Sequence, residues 1–275
     1  MALRKGRKSN PEGRMALKEH LREFRNRLFK SGVAVLLGTV GGFFLYLPVF
    51  EALTRPLLDA GNADGRFTTI NFEGVATPFD QMIQVSVFIG LLVSSPVWLY
   101  QAWAFVTPGL KSKERRAALG FLAAAVPLFI GGVYLAWLIL PQAVRVLTEF
   151  TPEGGSNVIT ASVYLAFVLR LLLAFGIAFL IPVFLVGLNL AGLLSGRTII
   201  KYWRITVFLI CLFAAMAAPG ADALSMFYLA APLLALFALA VGICLINDRR
   251  RARKQAAREA AVEADADTAT PIDKL

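Results

Sequence analysis

Apolar residues gather in long blocks along this chain instead of alternating with polar ones. Six blocks, at about 31–50, 80–105, 117–144, 161–188, 203–219 and 222–246, carry almost no charge. A helix needs about 20 apolar residues to cross a bilayer, so the blocks predict six transmembrane helices. Ahead of the first block, Leu17, Leu21, Phe24 and Leu28 recur at helical spacing, with Lys18, Glu19, Arg22, Arg25 and Arg27 mostly elsewhere. That pattern predicts an amphipathic helix over 15–30 lying on the membrane surface, its basic face suited to anionic lipids. Residues 1–14 are basic, hold Gly, Pro, Ser and Asn, and are expected to be disordered. The first block is long, is followed by five more and has no convincing small-residue cleavage site, which favours a retained helix over a signal peptide. Between the blocks, 51–80 reads as an acid-rich loop punctuated by Pro56, Gly61, Gly65 and Pro78, and 145–160 as a short loop. The fifth block has about 17 uncharged residues, roughly 25 Å of helix, less than the hydrocarbon thickness of about 30 Å. Only Ala218–Asp222 separates it from the sixth, so the fifth and sixth helices are expected to form a short hairpin that thins the bilayer nearby. The tail, 249–275, turns from basic to acidic and is expected to be disordered or loosely helical.

Composition agrees with a membrane protein. With 57% hydrophobic residues and a mean hydropathy of +0.66, a soluble domain of this size would expose far too much apolar surface. The net charge of +10 matters less than its distribution. Segments 1–30, 105–118, 189–204 and 247–275 hold 24 Lys and Arg, whereas the intervening loops hold Arg55, Arg66 and Arg145, and Arg170 lies inside the fourth block. Basic residues mark the cytoplasmic side, so both termini are expected there. The expectation is therefore an all-α polytopic protein of the cytoplasmic membrane, N-in and C-in, with one membrane domain over 15–248.

Chemistry is sparse. Cys211 and Cys244 lie in apolar runs and read as small buried hydrophobes. His20 is the lone histidine, which excludes a histidine-based metal centre or serine–histidine machinery. All eighteen Asp and Glu fall in loops, tails or helix ends, so a proton relay of mid-span carboxylates is unsupported. No nucleophile–base pair stands out, and neither an enzyme nor a bound cofactor, metal or nucleic acid is expected. The richest stretch runs from Ser94 to Arg116: an apolar helix with Trp98, Tyr100 and Trp103 near its end, a break at Thr107-Pro108-Gly109, and a basic cluster around Glu114. Aromatic rings suit the membrane–water boundary. Glu114 either neutralises Lys111, Lys113, Arg115 and Arg116 or serves a ligand. Glu23, in His20-Leu21-Arg22-Glu23-Phe24-Arg25-Asn26-Arg27-Leu28, either pairs with Arg27 at i,i+4 or does likewise. On residues alone, a small-molecule secondary transporter and a structural membrane scaffold stand as alternatives to a receptor.

Tyr100, Gln101, Trp103, Phe105, Pro108, Leu110, Glu114, Arg115 and Arg116 match, offset by offset, a signature of the TatC family, the polytopic core of the twin-arginine protein translocase. The segment from His20 to Leu28 resembles the family's amino-terminal motif, with Phe24 in place of Leu. Pro56-Leu57, Phe150-Thr151-Pro152-Glu153-Gly154, Ala174-Phe175-Gly176 with Pro182, and Pro219 with Asp222 extend the resemblance over most of the chain. The resemblance implies recognition of twin-arginine signal peptides on folded precursors, with Glu23 and Glu114 accepting guanidinium groups. Phe105, Arg25 and Arg115 would stand beside them, and Pro56, Pro108, Asp222 and Arg170 would be structural or contact partners. It further implies single-span TatA-type and TatB-type partners, a homo-oligomeric complex and transport driven by the proton-motive force. Two departures stand out: Leu180 where the family often has a polar residue, and Ala238 near where it often has Glu. Asp222 also reads simply as a helix N-cap.

Overall fold

The computed structural model describes residues 17–63, 68–106, 115–149, 155–217 and 223–267. Among them the chain is mostly helical, in the order α1 (Leu17–Ala63), β1 (Thr68–Asn71), α2 (Thr77–Val93), α3 (Ser95–Val106), α4 (Arg115–Glu149), β2 (Asn157–Thr160), α5 (Ala161–Leu190), α6 (Gly196–Lys201), α7 (Trp203–Ala217) and α8 (Ala223–Asp267). Four helices, α1, α4, α5 and α8, are long and apolar enough to cross a membrane, and α2 with α3 passes the same test as one bent pair. α7 is apolar but has only 15 residues. Large apolar side chains such as Leu36, Leu37, Phe44, Leu47, Ile177 and Phe208 are exposed, as expected where lipid rather than water is the solvent.

Several boundaries differ from the sequence expectation. The amphipathic segment and the first span are one continuous helix of 47 residues, not a surface helix followed by a span. At the junction the Ser31 hydroxyl donates back to the Arg27 carbonyl at 3.0 Å, a contact that a serine makes within a continuous helix. Helix α1 continues past Pro48 and Pro56 to residue 63, into what reads as a loop. Each proline removes one amide donor without ending the helix. The rest of that loop contributes β1, which pairs with β2 from the 145–160 loop, so the fold is not purely helical. The Thr160 hydroxyl donates to Glu73 Oε1 at 2.7 Å beside this small sheet. The second block is not a single helix: it bends by 62° between α2 and α3. Pro96 has no amide proton to offer the turn before it, and the Trp98 indole donates to the Leu91 carbonyl at 3.0 Å across the bend. The sixth helix is not short: α8 has 45 residues and carries the Ala-rich tail in helical form to Asp267.

The chain divides into two compact units, the first comprising Met1–Leu58, Thr68–Ile130 and Val158–Leu169. Here α1 and α2 approach through small residues. A Cβ added to Gly42 would lie 2.5 Å from the Ser86 carbonyl oxygen, and one on Gly38 would lie 2.7 Å from that of Gly90. Such stripes of small residues let membrane helices touch backbone to backbone. Trp103 stacks on Phe121 at 4.2 Å, and Trp98 meets Phe129 edge-on at 5.2 Å, joining α3 to α4. Tyr164, buried at the start of α5, donates to the Leu53 carbonyl of α1 at 2.8 Å.

The second unit comprises Asp59–Phe67, Gly131–Asn157 and Arg170–Leu275. Ile199, Phe237 and Cys244 form a buried cluster, with Leu185, Val207 and Val241 packed against it. Cys211 is only partly buried. A polar clasp holds the link between α5 and α6 to α8. Asp248 accepts from Asn189 Nδ2 at 2.7 Å through one oxygen and from the Gly196 amide at 2.6 Å through the other. Asn247 donates to Asn189 Oδ1, and Arg251 donates to the Asn189 and Leu190 carbonyls at the end of α5. A helix end leaves its last carbonyls without partners, and a guanidinium satisfies them well. Ser195 caps α6 by accepting from the Thr198 amide.

Candidate functional site

His20, Glu23, Phe24 and Arg27 stand at i, i+3, i+4 and i+7 on α1, which places them on one helical face. Gln101 and Phe105 stand at i and i+4 on α3. The two faces meet in antiparallel fashion. Arg27 Nη1 donates to Gln101 Oε1 at 3.3 Å, and four residues further along α3 Phe105 takes the rings of His20 and Phe24. His20 stacks on Phe105 with centroids 4.6 Å apart, and Phe24 lies tilted against it at 5.2 Å.

Glu23 sits between these two contacts. Its Oε1 accepts from Arg27 Nε at 2.9 Å and from Arg27 Nη2 at 2.5 Å. The ion pair allowed by the sequence spacing is therefore formed, with both side chains about four-fifths buried. Its Oε2 is buried and has no hydrogen-bond partner among the described residues. A buried acceptor without a donor is costly, so this oxygen calls for a partner beyond the described residues.

The remaining expected site residues fall as follows. Arg25 is exposed on α1, and Phe105 is half-buried near the end of α3. Glu114, Pro108 and Asp222 lie outside the described residues, and Arg115 opens α4 with its side chain outside them. Pro56 is half-buried inside α1. Arg170 is exposed on α5, Leu180 is buried on the same helix, and Ala238 is exposed on α8. Sequence reasoning had not assigned His20, Phe24, Arg27 or Gln101 to the site. The spacing on α1 signalled the first three; Gln101 depends on where α3 crosses. The Asn189–Asp248 clasp was likewise unforeseen. Among the described residues no group of three or more His, Cys, Asp or Glu gathers as a metal-ligand set.

These features define a multi-pass helical membrane protein with one partly buried carboxylate held beside an aromatic cluster. The family model described as Sec-independent protein translocase protein (TatC) matches residues 19–232. The chain belongs to that family, whose members are components of a protein-transport system. It is 47% identical to the Sec-independent protein translocase protein TatC of Rothia mucilaginosa over 273 residues, covering 98% of this chain and 93% of that protein. It is 32% identical to the TatC of Aquifex aeolicus, covering 88% of this chain and the whole of that one. A crystal structure of a twin arginine translocase receptor, TatC, superposes with a TM-score of 0.67 at 31% identity, covering 83% of this chain and 99% of the other.

Proposed function

We propose that this chain is the signal-recognising core of a twin-arginine translocase in the cytoplasmic membrane. The six spans are α1, the bent pair α2–α3, α4, α5, the short α7 and the apolar part of α8, with both termini cytoplasmic. An even number of crossings and the basic bias of alternate segments support that orientation. Glu23 and Glu114 accept the two guanidinium groups of the signal. Arg presents a planar fork of donors that matches a carboxylate, and Lys does not reproduce it. Arg25 and Arg115 lie in the surrounding cationic surface, which repels weakly basic impostors. Phe105 packs near the signal's apolar stretch, on ring surface that His20 and Phe24 leave uncovered. Pro56, Pro108, Asp222 and Arg170 serve structure or contact the single-span TatA-type and TatB-type partners. Copies of the chain assemble with those partners, anionic lipids bind the basic side, and the proton-motive force drives transport without hydrolysis by this chain. The short α7 thins the bilayer beside it.

The observation that carries the reading is the buried Oε2 of Glu23, which has no partner among the described residues and lies beside an aromatic cluster in a basic region. Complementation tests it. In a strain lacking its own copy, this gene should restore export of a folded reporter bearing a twin-arginine signal. Glu23→Gln and Glu114→Gln should insert normally yet fail to restore it. Normal export by both variants would refute the proposed recognition.

A further inference from the structure

We infer that Arg27 is a resident guanidinium that sets the specificity of the signal site by competing for Glu23. The inference rests on the proposed recognition of arginine by Glu23 and adds a device to it. Three observations lead there. First, Arg27 already occupies Glu23 Oε1 through two donors, Nε at 2.9 Å and Nη2 at 2.5 Å. Secondly, the same guanidinium is tethered to a different helix by Nη1 donating to Gln101 Oε1. Its position is therefore fixed by α3 as well as by the spacing on α1. Thirdly, Glu23 Oε2 is buried and has no partner among the described residues. One half of the carboxylate is filled by an internal arginine, while the other half has no donor among the described residues.

An incoming cation thus meets an occupied acceptor. To bind Glu23 fully it must share the carboxylate or displace Arg27 from it. A second guanidinium can do so, because it supplies the same planar donor geometry and replaces each bond it breaks. An ammonium has no such fork and is strongly hydrated, so it replaces a forked contact poorly. The resident arginine therefore sets a threshold that another arginine clears and a lysine does not. Recognition by exclusion of the wrong ligand is a general route to specificity. Gln101 belongs to the same device, because it holds Arg27 between exchanges. Both are positioning residues and need not touch the signal.

The test is equilibrium binding of two fluorescent signal peptides, one twin-arginine and one twin-lysine, to the purified full-length chain in lipid nanodiscs. Four variants are compared with the wild type: Arg27→Met, Arg27→Lys, Gln101→Leu and Glu23→Gln. Arg27→Met keeps most of the apolar stem and removes the competitor. Its affinity for the twin-arginine peptide should rise about three- to fivefold, the scale of a partly buried i,i+4 pair. Its affinity for the twin-lysine peptide should rise by a similar factor, because neither ligand then has to displace Arg27, so that twin-lysine binding comes over the threshold. Arg27→Lys and Gln101→Leu should shift in the same direction by less, and either serves if Arg27→Met does not fold. Glu23→Gln should bind neither peptide, and that arm tests the underlying recognition alone. If Glu23→Gln abolishes binding while the other variants bind with unchanged or weaker affinity, the role of Arg27 is overturned and the recognition stands. If Glu23→Gln binds like the wild type, the recognition itself fails.

Discussion

Asp248→Ala should unlatch the link between α5 and α6 from α8. In the native chain the two oxygens of Asp248 receive Asn189 Nδ2 at 2.7 Å and the Gly196 amide at 2.6 Å. Hydrogen bonds to a charged group contribute about 1.5–3 kcal/mol each. Asn189 is only 1% exposed and Gly196 is buried, so water recovers little of either bond. Partial rearrangement within the clasp brings the expected loss to about 3 kcal/mol. At 1.4 kcal/mol per factor of ten, the local opening constant should increase roughly a hundredfold. Hydrogen–deuterium exchange read by mass spectrometry on the detergent-solubilised protein measures this directly. Peptides covering 189–202 should lose protection by that factor, while the first unit is unchanged. Asp248→Asn keeps one acceptor but turns an amide donor towards one of the two native donors, so it should recover only about half of the loss. Exchange in 189–202 within about threefold of wild type would refute the reasoning, as would an equal loss of protection throughout the chain.

Other expectations follow from the packing and the charge pattern. Gly42→Ala puts a Cβ against the Ser86 carbonyl and should cost about 1–3 kcal/mol, read as a lower apparent Tm. Gly41→Ala is the control, because nothing lies within 4 Å of its added Cβ, and it should match or slightly exceed wild type. Tyr164→Phe removes the bond to the Leu53 carbonyl and should destabilise the chain by about 1 kcal/mol in the same thermal assay. Single cysteines placed near each terminus of a cysteine-free variant should resist a membrane-impermeant maleimide in intact cells and react after lysis; labelling of either in intact cells would contradict the proposed topology.

The apolar helices were legible because lipid demands long uninterrupted runs without charge, which hydropathy reads directly. Their ends were not. Hydropathy falls at Lys30 and again at Asp248, yet the backbone stays helical through both, because charged and Ala-rich segments are themselves good helix formers. The bend at Ser94 was written in Ser94-Ser95-Pro96, but a proline inside an apolar run is also compatible with a kinked single span. Strands of four residues are too short to show a period. At the site, Glu23 and its Arg27 partner were readable because both sit on one helix. The contacts of Gln101 with Arg27 and of Phe105 with His20 come from the crossing of α1 and α3, which no local spacing encodes. Asn189 and Asp248 lie 59 positions apart, and nothing periodic links them.

The central claim is that Glu23 and Glu114 together take the arginine pair of a signal peptide. Photo-crosslinking tests it most directly, with a photoreactive residue placed next to the arginine pair of a twin-arginine precursor and the chain in native membranes. The account predicts adducts within 20–28 and within 110–116, both lost in Glu23→Gln and Glu114→Gln proteins that still insert. Adducts confined to other segments, or undiminished in both variants, would contradict it.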